Sequence, residues 1–330
     1  MREIENRIRE TAKELFNNDE VDLILGYENG PVPFRSRPCF IKNAESADRL
    51  VWGPFCRNNL AVYLPRFFPV QANKKEKKPY PRIGVIAKGC DARSIAGLIK
   101  ENQVPGENIV VIAVPCEGMA DPAEADFIHD INDITGFTES EDGSFEVTLI
   151  SDGKRKINRE DILASACAEC PSPLQEGADV CIEGDPREKH GPEYAKLEEF
   201  EKMSSGERWN YFREEISKCI RCCACRQACP NCYCKVCFAD QTKPSWIGAG
   251  DDITDSMMFH IGRIFHQAGR CVECDACVNA CPMDIDLRIF TQKLGKDVKD
   301  LFGYVPGLSD EDLPLCTFKE DDSQEFITEP

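Results

Sequence analysis

The 330-residue sequence lacks any long apolar run. No stretch reaches the roughly 18 consecutive apolar residues that a membrane helix needs. The first sixteen residues, MREIENRIRETAKELF, are charged throughout and do not have the apolar centre of a signal peptide. These absences predict a cytoplasmic protein without a membrane span.

Positive charge is also scarce. The chain has 40 Lys and Arg residues against 58 Asp and Glu residues, which gives a formal net charge of -18. Nucleic acid is not expected as a partner, because phosphate binding needs a basic surface. The one basic run, NKKEKKPYPR at 73–82, is interpreted as a solvated loop that precedes a strand.

Several signatures of substrate chemistry are missing as well. No G-x-G-x-x-G motif is present, so the sequence does not support a Rossmann-type dinucleotide site. We find no signature of a molybdopterin site, a nickel–iron site or a nucleophile–base pair. The sequence therefore predicts no catalytic residues.

Cysteine, in contrast, is abundant. The chain has 20 cysteines, and eight of them fall in CIRCCACRQACPNCYCKVC at 219–237. Disulfides are rare in reducing compartments, where thiolates serve as metal ligands or in catalysis. The cysteines therefore predict metal sites and not a disulfide framework.

The spacing C-x2-C-x2-C-x3-C-P occurs twice in the C-terminal third. It is typical of two-cluster ferredoxins, in which three cysteines of one run and the fourth cysteine of the other bind each [4Fe-4S] cluster. Zinc sites would show paired knuckles or His ligands, which do not account for the third and fourth cysteines. Crossed ligation assigns Cys219, Cys222, Cys225 and Cys281 to the first cluster, and Cys271, Cys274, Cys277 and Cys229 to the second.

Four further cysteines, Cys223, Cys232, Cys234 and Cys237, lie in or near the first run. The spacing C-x-C-x2-C does not identify a cluster, so a further cluster and a buried or packing role both stay open.

The segment DDITDSMMFHIGRIFHQAGRC, which leads to Cys271, predicts a helix. Its start is expected near Thr254 or Asp255, and its end at Gly269. His260 and His266 are expected to pack or to face solvent, because six residues on a helix do not share a face well. The predicted inner face consists of Met258, Ile261, Phe265 and Ala268.

Residues 82–118 alternate an apolar strand, a helix and a second apolar strand. This pattern predicts a βαβ unit with buried parallel strands. Cys90 and Cys116 follow the two strands, so they should emerge side by side at the carboxyl edge of the sheet.

A third [4Fe-4S] cluster is predicted at this edge. Its other two ligands are the C-x2-C pair Cys167 and Cys170, which follows a predicted hairpin at Asp152-Gly153. In the alternative, the four thiols only pack. The rival ligands are Cys39, Cys56 and Cys181, and Cys56 ends an apolar stretch, DRLVWGPFC, that is expected to be a strand before a helix at RNNLAVYL.

Three stretches, KGCDARSIAGLIKE, IAVPCEG and CAECPSPLQEGADVCIEGD, occur in this order within residues 80–185. They resemble the core of the family formed by the β subunits of coenzyme F420-reducing hydrogenase and formate dehydrogenase. The resemblance implies an iron–sulfur flavoprotein with a mixed α/β domain, which relays electrons between a catalytic subunit and a soluble carrier. It also implies a [4Fe-4S] cluster at positions like Cys90, Cys116, Cys167 and Cys170. FAD stays an open alternative, because VWGPFCRNNLAVYL stands where such subunits carry a glycine-rich GG-x-x-T stretch.

The predicted fold is a mixed α/β N-terminal domain with a parallel βαβ core, plus a small α+β ferredoxin-like dicluster domain. The first domain begins with a helix at 2–17 whose inward residues include Ile8 and Leu15, and it spans residues 1–204. A capping box formed by Ser204 and Glu207 should start the helix that leads into the second domain, 205–303. Residues 304–330 form an acidic tail.

The predicted function is electron transfer within a hetero-oligomer. The clusters would relay electrons between a catalytic formate dehydrogenase or hydrogenase subunit and a heterodisulfide-reductase-like flavoprotein or ferredoxin-type acceptor. The alternative is a self-contained iron–sulfur flavoenzyme that reduces F420 or another soluble carrier, and a third interpretation is a redox-inert scaffold with structural clusters.

Overall fold

The structure is a computed structural model that describes most of the chain. The described residues are 2–32, 35–69, 79–121, 124–125, 127–128, 130–140, 143–171, 178–186, 194–248, 250, 252–309 and 315. Most of the predicted acidic tail and the first part of the basic run at 73–82 lie outside these residues. No helix in the described ranges is long and apolar enough to cross a bilayer.

The N-terminal half contains two sheets. The strands in the described residues are β1 (Leu23–Asn29), β2 (Ser36–Ile41), β3 (Ile83–Ala87), β4 (Ile109–Ala113), β5 (Ile134–Glu139), β6 (Phe145–Leu149), β7 (Gly153–Ile157) and β8 (Val180–Cys181). The larger sheet has the order β2-β1-β3-β4-β8. Strands β1, β3, β4 and β8 are parallel, while β2 pairs with β1 in the antiparallel direction at the edge.

Helices surround the larger sheet and form the C-terminal part. They are α1 (Arg2–Asn17), α2 (Gly89–Lys100), α3 (Ser165–Ala168), α4 (Ala195–Lys202), α5 (Ser205–Ser217), α6 (Ala224–Ala228), α7 (Ile253–His266), α8 (Ala276–Asn279) and α9 (Arg288–Phe302). Helix α1 has the predicted bounds, and it buries Ile8 and Leu15 in the main core.

The βαβ prediction is confirmed. Every residue of β3 is buried, and α2 connects it to the parallel strand β4. The last residues of the two strands, Ala87 and Ala113, are paired in register, so both strands end at the same edge of the sheet. This edge positions the segments that carry Cys90 and Cys116.

The hairpin prediction is also confirmed, because β6 and β7 pair in the antiparallel direction. Gly153 has a φ of +68°, a backbone conformation that glycine adopts without steric cost. A third strand, β5, which the sequence analysis missed, pairs with the other edge of β6. Phe145, Val147 and Leu149 on β6 bury one face of this small sheet in a second core.

The expectation of a strand before Cys56 is wrong. Residues 50–56 are irregular, because Gly53 and Pro54 interrupt the apolar run. The following segment, Leu60–Arg66, is a 3₁₀-helix that contains Pro65, and not an α-helix. The side chain of Asn59 caps it by accepting a hydrogen bond from the backbone N–H of Ala61 at 3.1 Å.

Within 205–303 the described residues form helices and turns and no strand, so the α+β class predicted for this part is not supported. The long connection between the two cysteine runs, at 230–252, is irregular where it is described, apart from a short 3₁₀-helix at Phe238–Asp240. The predicted capping box of α5 is present. The Glu207 backbone N–H donates to Ser204 Oγ at 3.3 Å, and the Ser204 backbone N–H donates to Glu207 Oε2 at 2.7 Å.

Helix α7 forms as predicted, but its predicted inner face is wrong. Met258 is 52% exposed and Phe265 is 65% exposed. The buried face consists of Ser256, Phe259, His260 and Arg263. The start also differs, since the side chain of Asp252 caps the helix by accepting from the Thr254 backbone N–H at 2.8 Å. Polar residues turn inward because the cysteine runs, and not an apolar core alone, lie on that side.

Candidate metal centres

A cavity opens at the carboxyl edge of the larger sheet, where β3 and β4 end. Its wall contains all four cysteines of the predicted third site, Cys90, Cys116, Cys167 and Cys170. Cys90 lies in the first turn of α2, Cys116 follows β4, and the other two belong to α3 and to the turn after it. The structure therefore brings together the cysteines that the sequence paired, while cluster binding itself stays a prediction.

The rival cysteines do not line this cavity. Cys39 is buried in β2 and Cys56 is buried in the main core, whereas Cys181 is exposed at the end of the edge strand β8.

Desolvation dominates the chemistry of the third site. Burial raises the pKa of the Cys90 thiol well above its usual value and that of Cys116 to about 12. Burial also raises the pKa of Cys167, although the Met119 backbone N–H, 3.3 Å from its sulfur, opposes the shift. Metal binding needs thiolates, so a metal at this site must displace the protons of these thiols.

One buried cation borders the third site. Lys88, at the start of α2, has a side chain that is only 3% exposed and lines the same cavity. Its ammonium is paired with Asp91 at 2.8 Å, and it donates to the Asn58 carbonyl at 2.9 Å and to the Tyr27 hydroxyl. Lys88 was not predicted from the sequence. Its position directly after β3 and two residues before Cys90, in KGCD, is the signal that could have indicated it.

The second site lies in a separate cavity. The lining of this cavity includes Cys229, Cys271, Cys274 and Cys277. Cys229 comes from the first cysteine run and the other three come from the second run, as crossed ligation requires. Burial raises the pKa of Cys271 to about 12 and that of Cys277 above its usual value.

Asp275 lies between Cys274 and Cys277, two predicted ligands of the second site. It adopts a left-handed backbone conformation with φ of +60° at the start of α8. Burial raises the pKa of its carboxyl to about 6, and its Oδ1 atom has no hydrogen-bond partner among the described residues. This buried carboxyl was not predicted from the sequence.

The first site is assembled from α5, α6 and the end of the second run. Cys219 follows α5, and its thiol is close enough to Cys222 and Cys281 for their charges to interact. Cys225 is buried on α6 and interacts in the same way with Cys219. Cys222 is exposed, so the first site lies nearer the surface than the second.

Helix α7 places an imidazole against the first site. His260 is buried, and its Nε2 atom lies 3.3 Å from Cys219 Sγ. Burial, reinforced by Arg263 and Arg221, lowers the pKa of His260 to about 4, so the ring is neutral near pH 7. A ligand thiolate only accepts hydrogen bonds, hence Nε2 would carry the proton and donate to it.

Three of the four remaining cysteines border the second site. Cys232, Cys234 and Cys237 line one cavity together with Cys229. Gln267 connects Cys229 and Cys232, with its Oε1 3.6 Å from the first sulfur and its Nε2 3.5 Å from the second. The hydrogen bond with Cys229 lowers the pKa of Cys232.

Across the described ranges, no group of three or more His, Cys, Asp or Glu side chains is compact enough to hold a single metal ion. The cysteines of the second and third sites instead line cavities.

The cavity of the second site and the cavity of the third site share a wall. Residues 272–275, which include Cys274, line both of them. The C-terminal part is also tied to the N-terminal part by Arg57, which donates to the side chains of Asp121 and Asn279. The two sites are therefore neighbours within one packed structure.

Another cavity adjoins the cavity of the third site. Arg57 and Asn279 belong to the linings of both cavities. Three cations and two aromatic rings contribute to this wall, namely Arg35, Arg57, Arg66, Phe55 and Tyr63. Such a lining suits an anionic ligand with a planar ring.

The chain is similar over almost its whole length to two characterised subunits. It is 25% identical to F420-dependent formate dehydrogenase subunit beta of Methanocaldococcus jannaschii, over 92% of each chain. It is 23% identical to F420-dependent formate dehydrogenase 1 subunit beta of Methanococcus maripaludis, over 92% of this chain and 90% of that protein. Comparison with protein-family models gives no match.

Among solved structures, a chain of the F420-reducing [NiFe] hydrogenase complex from Methanosarcina barkeri superposes with a TM-score of 0.36 at 12% identity. The superposition covers 51% of this chain and 62% of that chain, less than two thirds of the neighbour.

Proposed function

We propose that the chain is an iron–sulfur electron-transfer subunit. It resembles the β subunits of F420-dependent formate dehydrogenase along almost its whole length. This similarity confirms the resemblance seen in its motifs. It would relay electrons between a catalytic formate dehydrogenase or hydrogenase subunit and a separate acceptor. When bound, the three [4Fe-4S] clusters would supply one-electron transfer.

The observation that carries the proposal is the succession of cysteine-lined sites. The third site shares the wall at 272–275 with the second, and Cys277 of the second site lies within charge-interaction distance of Cys225 of the first. Neighbouring sites of this kind form a path from the surface near Cys222 to the edge of the sheet.

The protein residues have two tasks in this proposal. The cysteines hold the clusters in fixed order, and the buried surroundings of the second and third sites keep water away from them. Exposed Cys222 marks the end of the path where a partner or soluble acceptor has access. A heterodisulfide-reductase-like flavoprotein or a ferredoxin-type protein is the class of acceptor we propose there.

The cavity with three arginines favours a second candidate function. It adjoins the third site through Arg57, and its cations and rings suit the pyrophosphate and isoalloxazine of FAD. A flavin there would support a self-contained flavoenzyme that reduces F420 or another carrier. The absorbance of anaerobically purified protein tests this alternative. If FAD is bound, denaturation releases it, and its own absorbance spectrum identifies it in the supernatant.

The direct test of the relay proposal is purification of the full chain under anaerobic conditions with its natural partners. We expect about twelve iron atoms per chain and co-purification with a large catalytic subunit. About four iron atoms or fewer, or a chain that purifies alone with turnover of formate or hydrogen, would contradict the proposal.

A further inference from the structure

Helix α7 carries one arginine into the space between the two cysteine runs. Arg263 is 4% exposed, and it belongs to the wall of the second site. Its Nη2 atom donates to the carbonyl of Cys225, a predicted ligand of the first site, at 3.2 Å. The guanidinium thus contacts the first run and lines the cavity of the second cluster.

Within the described residues Arg263 has no carboxylate partner. Its Nε and Nη1 atoms also have no hydrogen-bond partner there. Two other arginines near the cysteines have carboxylate partners: Arg226 pairs with Asp240 at 2.8 Å, and Arg270 pairs with Glu101 at 2.8 Å. Arg221, beside the first site, donates instead to the Gly248 carbonyl at 3.2 Å. Burial of an unpaired cation is unfavourable, so a negative group must compensate it in the working protein.

The groups that face Arg263 are thiols. Its charge interacts most strongly with Cys277, followed by Cys229, Cys225 and Cys232. The first two are predicted ligands of the second cluster, and Cys225 is a predicted ligand of the first. A bound cluster needs these cysteines as thiolates, so it brings negative charge next to the guanidinium.

Resting on the proposed function, we propose that Arg263 is a shared counter-cation for the first and second clusters. A positive charge beside a cluster stabilises its reduced, more negative form and raises its reduction potential. One guanidinium between two clusters acts on both potentials at once. The same buried cation opposes folding of the empty chain, because no carboxylate among the described residues compensates its charge.

The test is an anaerobic redox titration, followed by electron paramagnetic resonance, of the fully loaded chain. We expect Arg263→Gln to shift both ferredoxin-type potentials to more negative values and to leave the third cluster unchanged. Arg263→Lys, which keeps the charge, should give clearly smaller shifts. The matched control is Arg226→Gln, because Arg226 follows Cys225 but carries its own carboxylate partner, Asp240. A shift of one potential only, or of neither, overturns the inference.

A second measurement covers a variant that loads poorly. Thermal unfolding of the metal-free chain should occur at a higher temperature in Arg263→Met than in the wild type, while the loaded variant should lose iron faster. A purely structural role predicts destabilisation in both states, and that result would overturn the inference. If wild-type protein shows no pair of ferredoxin-type signals, the proposed function fails and the counter-cation role fails with it. If both signals are present and Arg263→Gln leaves them unshifted, only the role of Arg263 fails.

Discussion

Arg288 Nη2 lies 2.7 Å from Glu169 Oε2, and both side chains are less than a tenth exposed. Glu169 stands between Cys167 and Cys170 of the third site, whereas Arg288 begins α9, which follows the second cysteine run. Gln292, one turn further along α9, donates to the same carboxylate at 3.0 Å. This contact fixes the loop of the third site against the part of the chain that holds the second.

The buried pair should be important for stability. Arg288→Met leaves Glu169 without its cation, and removal of one partner from a buried pair costs about 3–5 kcal/mol. The matched control is Lys293→Met on the same helix, whose more exposed pairs with Glu201 and Asp297 should contribute less than about 1 kcal/mol. Urea denaturation of the loaded chain measures both. Equal shifts for the two variants would contradict the assigned role of Arg288.

The third site is tested by iron content. Cys116→Ser and Cys170→Ser should each remove up to about four iron atoms and leave the ferredoxin-type signals intact. Cys56→Ser and Cys181→Ser serve as controls, because neither residue lines the cavity. Full iron content in the first pair, or loss of four iron atoms in the controls, would show that the wrong cysteines were paired.

Crossed ligation makes a prediction about which variants share a phenotype. Cys281→Ala should abolish the same paramagnetic signal as Cys222→Ala, although the two residues are far apart in sequence. Cys229→Ala should instead match Cys274→Ala, since both line the second cavity. Spectra of the four reduced variants decide the point. If Cys281→Ala matched Cys274→Ala, each cluster would be held within one run.

Lys88 should raise the potential of the third cluster. Lys88→Met removes the one ammonium of the cavity wall and leaves Asp91 as a buried carboxylate, so the potential should become more negative. The double variant Lys88→Met/Asp91→Asn should recover part of the shift. Lys13→Met on α1, a surface lysine paired with Asp48, is the control. Redox titration of the third signal measures each value, and an unchanged potential in Lys88→Met would contradict the prediction.

The parts of the fold that local sequence determines could be predicted. The apolar runs of β3 and β4, the Asp152-Gly153 turn and the capping box of Ser204 and Glu207 each carry a short-range signal. Strands β1 and β2 were missed although they are neighbours in sequence and pair with each other in the antiparallel direction. The sequence of β2, SRPCFI, contains a proline and an arginine, which are uncommon inside a strand, so it carries only a weak strand signal.

The site shows the same division. Cysteine spacing grouped the predicted ligands that line the cavity of the second site. Strand-end positions and one C-x2-C pair grouped those that line the cavity of the third site. The residues around them, Lys88, His260 and Arg263, could not be predicted, because hydrophobic periodicity assigns polar residues to the outer face of a helix. On α7 this rule failed, since its buried face contacts thiols that accept hydrogen bonds and carry charge when metallated. As a result, Met258 and Phe265, which periodicity assigns to the inner face of α7, are exposed.

Electron relay by this chain is tested most directly by reduction of its clusters in the presence and absence of the proposed partner, a catalytic formate dehydrogenase or hydrogenase subunit. The loaded chain is mixed with formate, or with hydrogen if the partner is a hydrogenase, and bleaching of the iron–sulfur absorbance is recorded anaerobically. We predict bleaching only when the catalytic subunit is present. If electrons enter at the third site, Cys170→Ser and Cys274→Ala should each stop electron delivery to the exposed first site. Bleaching by formate or hydrogen in the isolated chain, or no bleaching with the partner present, would contradict the proposed role.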